Sequence, residues 1–281
     1  MFRLPLGDYF EVFIKWLTDN CDSFFDGMKD VVLYIVDKLE YSLMAIPWWL
    51  LLIIVALAAW RVSGKKAAIL TAIGLALIYS IELWDEMLET LALVFSSTLL
   101  ALLLGIPLGI WMAKNGKTEK IVKPILDFMQ TMPAFVYLIP SVFFFGLGKM
   151  PGAIATLIFA MPPVVRLTNL GIRQVPQDVV EAAISFGSTP SQMLRKVQIP
   201  LAMPTILTGI NQTIMLSLSM VVISSMIGAS GLGEIVLNGV TQMQPGKGFE
   251  GGIAVVILAI ILDRLTQSIG KKTNKKIKSN K

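Results

Sequence analysis

The side chains that most often perform catalysis are nearly missing from this sequence of 281 residues. It contains no histidine, and Cys21 is its single cysteine. A Ser–His–Asp or Cys–His arrangement cannot be assembled from such a chain, and neither can a zinc site built from histidine and cysteine. The sequence therefore predicts no catalytic residue, no metal site and no intramolecular disulfide.

Polar side chains inside the apolar segment 202–227 form a second group that could interact with a ligand. Their hydroxyl and amide groups could hydrogen-bond a small solute along a transport path, or they could bond to neighbouring helices. The sequence leaves both interpretations open. The candidate pathway residues are Asn211, Thr213, Ser217 and Ser224.

Acidic residues gather around Trp84, at the end of one apolar segment and the start of the next. Carboxylates beside an aromatic ring could bind a cationic ligand. The same arrangement is typical of an aromatic residue that anchors a helix at the membrane surface next to a solvated loop, and we expect this second role. The acidic residues are Glu82, Asp85, Glu86 and Glu89.

Three glycines follow the segment 202–227 with the spacing G-x-x-G-x-G. They are Gly228, Gly231 and Gly233, and neither Lys-Ser nor Lys-Thr follows them. A phosphate-binding loop requires that pair and a different glycine spacing. We therefore expect a tight turn before a short outer helix, and any nucleotide site must come from another chain.

The elements that carry these residues are apolar throughout. The chain is 55% hydrophobic and only 15% charged, with a mean hydropathy of +0.72. Average soluble domains carry about 25% charged residues, and a helix needs ~20 apolar residues to cross a bilayer. We predict an all-α integral membrane protein with about seven transmembrane helices. Their approximate positions are 46–61, 67–84, 90–113, 125–147, 152–169, 202–227 and 250–266.

Lysines and arginines are concentrated in alternate connections. They cluster in 62–66, in 114–124, in 170–201 and in the tail after 266. Because basic connections stay in the cytoplasm, this pattern predicts a multi-pass protein of the cell (inner, cytoplasmic) membrane with its N-terminus outside and its C-terminus inside. The same dispersal accounts for the net charge of +5 without a nucleic-acid partner.

The first 45 residues differ from the rest of the chain. Acidic and aromatic residues recur there at helical spacing, and no signal-peptide pattern is present. We predict an amphipathic helix on the outer membrane surface, or two helices broken near Asn20–Ser23. It could be a scaffold that lies on the membrane, or a contact surface for a receptor or a second subunit.

The longest cytoplasmic connection has the features of two short helices separated by a glycine. Pro176 can open the first helix, and Asp178 then lies in its first turn, where a negative charge suits the helix dipole. Gly187 interrupts the path. Thr189 can cap the second helix, and Gln192 can complete a capping box. Two angled helices between membrane segments would suit docking into a groove on a cytoplasmic partner.

The sequence of this connection resembles the EAA loop of ATP-binding-cassette (ABC) import permeases. The matching residues are Glu181-Ala182-Ala183, then Gly187, then the segment 197–200, in which Val-Gln-Ile-Pro stands where the family has Ile-x-Leu-Pro. In that family the loop is the coupling helix that is seated on the ATPase subunit. The resemblance implies that Glu181, Ala182, Ala183 and Gly187 dock this chain to an ATPase.

The resemblance extends to residues 88–265, which look like the core of a type I importer permease. The motifs at 131–134, 161–163 and 227–233 resemble the subclass that imports glycine betaine, proline betaine and related quaternary ammonium osmolytes. Methionine importer permeases share parts of these motifs. The N-terminal amphipathic stretch and the additional early spans favour the betaine subclass.

The composition and the resemblance together predict a division of the chain into four parts. These are an extracytoplasmic scaffold segment at 1–45, accessory transmembrane helices at 46–87, the permease core at 88–266 with the EAA loop at 174–200, and a basic cytoplasmic tail at 267–281.

The function implied is that of a non-catalytic subunit that forms the substrate pathway and works by alternating access. The implied partners are an ABC ATPase subunit, which would bind ATP and magnesium, a second permease copy, and an extracytoplasmic substrate-binding protein. This chain itself would bind no cofactor. The alternatives are a permease for methionine or another small solute, and a stand-alone carrier or channel.

Overall fold

The chain folds into helices and connecting turns. The computed structural model describes the backbone of residues 5–279 and the side chains of residue 5 and residues 7–268. No strand occurs in that range. The lysine side chains of the predicted basic tail, from residue 271 onward, lie outside the described side chains. The helices are α1 (Leu6–Met44), α2 (Trp48–Ser63), α3 (Lys65–Ser80), α4 (Trp84–Lys114), α5 (Gly116–Thr131), α6 (Ala134–Phe145), α7 (Lys149–Arg173), α8 (Gln177–Ser185), α9 (Pro190–Gln192), α10 (Ile199–Ser225), α11 (Leu232–Thr241) and α12 (Pro245–Ser279).

Three helices of the described part are long and apolar enough to cross a membrane. They are α4, α7 and the helix Pro190–Ser225, which includes α9 and α10. The count rises to five if each of the bent pairs α1–α2 and α5–α6 forms one span. The chain is thus an all-helical membrane protein, and length and composition alone do not give seven spans, partly because α2 and α3 have only 16 residues each.

The predicted segment 125–147 is not one straight helix. It contains the end of α5 and all of α6, and these two helices meet at an angle of 101°. The cause is Pro133, because a residue that precedes proline is driven away from the helical conformation. Met132 accordingly has φ −73° and ψ 135°, and α6 starts immediately after Pro133.

The centre of the molecule is formed by α4, α7 and α10. Small residues let these helices approach closely. A Cβ atom added to Gly105 of α4 would lie 2.6 Å from Val164 Cγ1 of α7, and one on Gly109 would lie 2.7 Å from the Val165 carbonyl oxygen. Gly209 of α10 would meet Leu167 Cβ at 3.0 Å in the same way.

Helix α1 has the predicted break and is attached to this core. Cys21 leaves the helical conformation, with φ −121° and ψ 21°, so the predicted interruption near Asn20–Ser23 is confirmed. The Phe25 ring stacks on Phe144 of α6 with centroids 4.4 Å apart. The Lys149 ammonium at the start of α7 forms an ion pair with Glu40 at 2.7 Å. Helix α1 therefore packs directly against α6 and α7.

Candidate coupling loop and solute pathway

Helix α8 is a short exposed helix in the connection between α7 and α10. Pro176 precedes it as the N-cap residue, with ψ 136°, and Asp178 lies in the first turn as predicted. None of its residues is buried. Because the rest of the chain covers so little of α8, most of the surface of this helix is free to contact another molecule.

Gly187 ends α8 in a conformation that few other residues adopt. Its φ is +76°, and its backbone N–H donates to the Ile184 carbonyl at 2.8 Å. Ser188 N–H donates to the Ala183 carbonyl at 3.1 Å. This pattern is a helix C-terminus closed by a left-handed glycine. No atom lies within 4 Å of a Cβ built on Gly187, so the backbone, and not internal packing, requires glycine here.

The capping box of α9 is confirmed. Thr189 Oγ1 accepts from the Gln192 backbone N–H at 3.3 Å, and Gln192 Oε1 accepts from the Thr189 N–H at 2.9 Å. These reciprocal bonds fix the direction in which the chain leaves Gly187.

The chain then enters the core through one π-helical turn, Met193–Gln198. Leu194 of this turn is buried and packs against Ile172 of α7 and Ala202 and Ile206 of α10. Wider turns of this kind often occur at functional sites. The exposed loop is therefore joined to two central helices by an apolar contact, through which a displacement can be passed on.

The predicted docking residues lie on the outside of this loop. Glu181 and Ala182 are exposed and Ala183 is half-buried, and Glu181 has no side-chain bond among the described residues. Two apolar residues next to the predicted docking residues are also exposed, although the EAA pattern does not include them. Phe186 is 91% exposed and Ile184 is 60% exposed. The signal that could have indicated Phe186 is its position directly before the glycine that ends the helix.

Below the loop, polar residues connect the end of α7 to α4 and α5. Arg173 forms an ion pair with Glu119 at 2.8 Å, and its guanidinium donates to Asn169 Oδ1 and to the Met112 carbonyl, both at 3.0 Å. Asn169 in turn donates to Glu119 at 3.1 Å. One arginine thus holds three helices together at the base of the loop.

A second charged contact connects α5 to α7 nearby. Arg166 donates to Asp127 Oδ1 and to Gln130 Oε1, both at 2.5 Å. A cavity of about 400 Å³ lies between these two polar groups and is also lined by Lys123 and Gln212.

The candidate pathway residues do not converge on one point. Asn211 donates to Asp263 of α12 at 3.1 Å and accepts from Thr266. Thr98 of α4 donates to Ser217 at 3.1 Å.

The other two candidates, Ser224 and Thr213, are both buried. Ser224 lies 3.4 Å from Thr156 Oγ1 of α7. The Thr213 hydroxyl has no hydrogen-bond partner among the described residues. Three of the four side chains thus bond across helices, and the pathway-lining role of all four stays a prediction.

The glycines after α10 form the expected turn. Gly228 and Gly231 have φ values of +89° and +114°. The Leu232 backbone N–H donates to Thr90 Oγ1 of α4 at 2.9 Å, which fixes the start of α11. The described part of the chain has no group of three or more acidic, cysteine or histidine residues suited to a metal ion.

Comparison with known proteins identifies a family that includes the central helices of this chain. Residues 105–275 match the family described as binding-protein-dependent transport system inner membrane component. The structure of the MetNI methionine ABC transporter is similar, with a TM-score of 0.61 and 22% identity over 66% of this chain and 92% of that chain. This likeness shows a shared fold.

Curated relatives match almost the whole chain. The glycine betaine transport system permease protein OpuAB of Bacillus subtilis is 51% identical over 99% of this chain and 98% of its own length. The glycine betaine/carnitine transport permease protein GbuB of Listeria monocytogenes is 53% identical over 96% of both chains. The glycine betaine/proline betaine transport system permease protein ProW of Escherichia coli is 48% identical over 95% of this chain and 76% of its own. The chain belongs to the binding-protein-dependent inner membrane components, the permeases of ABC importers, and within them to the glycine betaine group.

Proposed function

We propose that this chain is the membrane permease of an ATP-driven importer for glycine betaine or a related quaternary ammonium solute. The substrate class is supported by the names of relatives that are 48–53% identical over nearly the whole chain. The likeness to the methionine transporter is only 22% identical, so it supports the fold and not a methionine substrate.

The observation that carries the mechanism is the exposed α8–Gly187–α9 unit whose base is buried between α7 and α10. We infer that an ATPase subunit receives α8 in a groove, with Ala182 and Ala183 allowing close approach and Glu181 facing a basic group. Movement of the ATPase pair would displace α8. Leu194 would pass this displacement to α7 and α10, and the pathway would then open to one face or the other.

The proposed topology has seven crossings with the N-terminus outside and the C-terminus in the cytoplasm. The clustering of basic residues in alternate connections supports it. In this arrangement residues 1–45 lie on the outer surface, 46–87 are accessory spans, 88–266 are the permease core and 267–281 form a basic tail.

The proposed assembly contains two copies of this chain, two ATPase subunits and an extracytoplasmic substrate-binding protein. ATP and magnesium would bind to the ATPase subunits, and this chain would contribute no catalytic residue. Asn211, Thr213, Ser217 and Ser224 remain candidates for the pathway, with Thr213 favoured because its buried hydroxyl has no partner among the described residues.

Substrate competition in proteoliposomes tests this proposal. The complex, reconstituted with its ATPase and binding protein, should accumulate labelled glycine betaine, and unlabelled proline betaine or carnitine should compete. Unlabelled methionine should have no effect. Uptake of labelled methionine that glycine betaine does not inhibit would contradict the proposed substrate class.

A further inference from the structure

A second pocket lies away from the central helices, where the elbow between α1 and α2 meets the turn between α3 and α4. It has a volume of about 630 Å³ and is lined by aromatic and acidic side chains. The residues that matter are Trp48, Tyr79, Trp84, Glu82 and Asp85. In the proposed topology the pocket opens on the outer side of the membrane.

Aromatic rings form one side of this pocket. The Trp48 and Tyr79 rings are stacked, with centroids 4.2 Å apart and an angle of 19° between their planes. Trp84 packs edge-on against Tyr79 at 6.0 Å and is only 8% exposed. The buried Trp84 thus packs against the stack, and its predicted role as an interfacial anchor stays a prediction. Trp48 and Tyr79 remain 40% and 43% exposed, so they can present aromatic surface to a ligand.

Two carboxylates form the other side. Glu82 and Asp85 are exposed, and neither forms a hydrogen bond or ion pair through its side chain with any described residue. No lysine or arginine is among the residues that line the pocket. Glu82 lies in the turn between α3 and α4 with φ +59°, and Asp85 lies in the first turn of α4. Both acids therefore come shortly after Tyr79 in the chain. The pocket therefore carries two uncompensated negative charges beside aromatic surface.

This chemistry selects among cations. Small metal ions require several oxygen ligands around them and hold their water strongly. Aromatic faces offer no oxygen ligands to replace the water of a metal ion. They attract a cation electrostatically, and recognition of quaternary ammonium groups is a known use of such faces. Glu82 and Asp85 would repel a carboxylate carried close to the ammonium group, so an ammonium ligand without a carboxylate fits better.

We propose that this pocket binds the quaternary ammonium group of a choline-like cation, at a site separate from the solute pathway. The outer location rests on the proposed function, whereas the ligand class rests on the pocket itself. The ammonium group could belong to a free cation in solution, or it could belong to the headgroup of a phosphatidylcholine molecule in the membrane.

Direct binding tests this proposal without transport. The full chain would be placed in nanodiscs of phosphatidylglycerol, and binding of labelled choline would be measured with no ATP or partner present. We expect saturable binding that unlabelled choline displaces at least about tenfold better than 3,3-dimethyl-1-butanol, its uncharged isostere. Because neither ATP nor uptake is involved, failure of this test and failure of the transport proposal are distinguishable.

Matched variants identify the site. Trp48→Leu and Glu82→Gln should each weaken choline binding by about 3- to 30-fold, and Trp48→Phe should have a smaller effect. The controls are Trp49→Leu and Glu89→Gln, whose side chains do not line the pocket and which should bind choline as the unaltered chain does. Equal binding of choline and its isostere, no saturable binding, or equal effects of the pocket and control variants would overturn the proposal.

The same measurement distinguishes the two sources of the cation. If the headgroup occupies the pocket, nanodiscs that contain phosphatidylcholine should show weaker apparent binding of free choline, and Trp48→Leu should remove the difference. If only free cations bind, both membranes should give the same affinity. Either result supports an ammonium site.

Discussion

At the residue scale, Phe186 is the side chain whose exposure most needs an explanation. It is 91% exposed although it precedes the glycine that ends α8 and lies in a loop whose base is well packed. Buried aromatic anchors contribute most to many protein interfaces. We infer that Phe186 fills a pocket on the ATPase, next to the surface formed by Ala182 and Ala183.

Replacing Phe186 by alanine tests this inference. Truncating an aromatic anchor typically costs 2 kcal/mol or more of binding free energy, so affinity for the ATPase should fall by about 30-fold. Thermal stability of the isolated chain should hardly change, because an exposed side chain makes few internal contacts. Met243→Ala is the control, since Met243 is 89% exposed and lies outside the loop. Unchanged ATPase affinity, measured by titration of the detergent-solubilised chain, would refute the role of Phe186.

At the element scale, Arg173 connects the helices at the base of the candidate coupling loop, residues 174–200. This arginine joins α7 to α4 and α5, and its pair with Glu119 is partly shielded, with side-chain exposures of 39% and 26%. A contact that joins helices in this way can keep the loop in register with the core while the helices move together.

A double-mutant cycle measures this contact. Arg173→Ala should destabilise the chain by roughly 1–3 kcal/mol, and the coupling energy with Glu119→Ala should be about 1 kcal/mol because solvent screens part of the interaction. The control cycle is Lys15 with Glu11, an exposed pair on one helix that should give no measurable coupling. Unfolding in mixed detergent would report both cycles. A coupling energy near zero for Arg173 and Glu119 would mean that the two side chains do not act together.

Local sequence rules predicted the elements of the loop well. The capping box of Thr189 and Gln192, the first-turn Asp178 and the break at Gly187 all depend on residues within four positions of one another, and all are present. The bend at Pro133 was equally local, yet the apolar run around it concealed the bend.

Contacts between distant residues could not be predicted from the sequence. The bonds of Arg173 to Glu119 and of Asn211 to Asp263 join positions 54 and 52 residues apart. They depend on how helices cross, and a single sequence does not contain that information in any short pattern. For the same reason the burial of Trp84 behind Tyr79 was missed, because hydropathy alone describes Trp84 as an interfacial residue.

At the scale of the whole molecule, the charge asymmetry predicts which face each connection occupies. Cys21, the only native cysteine, lies in α1 and is partly exposed. A membrane-impermeant maleimide should label it in intact cells. In a Cys21→Ser background, Lys117→Cys should be labelled only after the membrane is made permeable, because the start of α5 is assigned to the cytoplasm. The reverse pattern of labelling would contradict the proposed orientation.

ATP-driven uptake by the reconstituted importer tests the central claim most directly. Proteoliposomes that contain this chain, its ATPase and the binding protein should accumulate labelled glycine betaine when ATP is supplied to the ATPase side, and not with ADP. Gly187→Trp should reduce this uptake by at least about tenfold, because the side chain strains the left-handed backbone at the end of α8 and its bulky ring would keep α8 out of the ATPase groove. Gly64→Trp is the matched control, since Gly64 is also open and has φ +94° but lies between α2 and α3, and it should leave uptake intact. Betaine uptake that is independent of ATP, or that persists unchanged in a folded Gly187→Trp variant, would contradict the account.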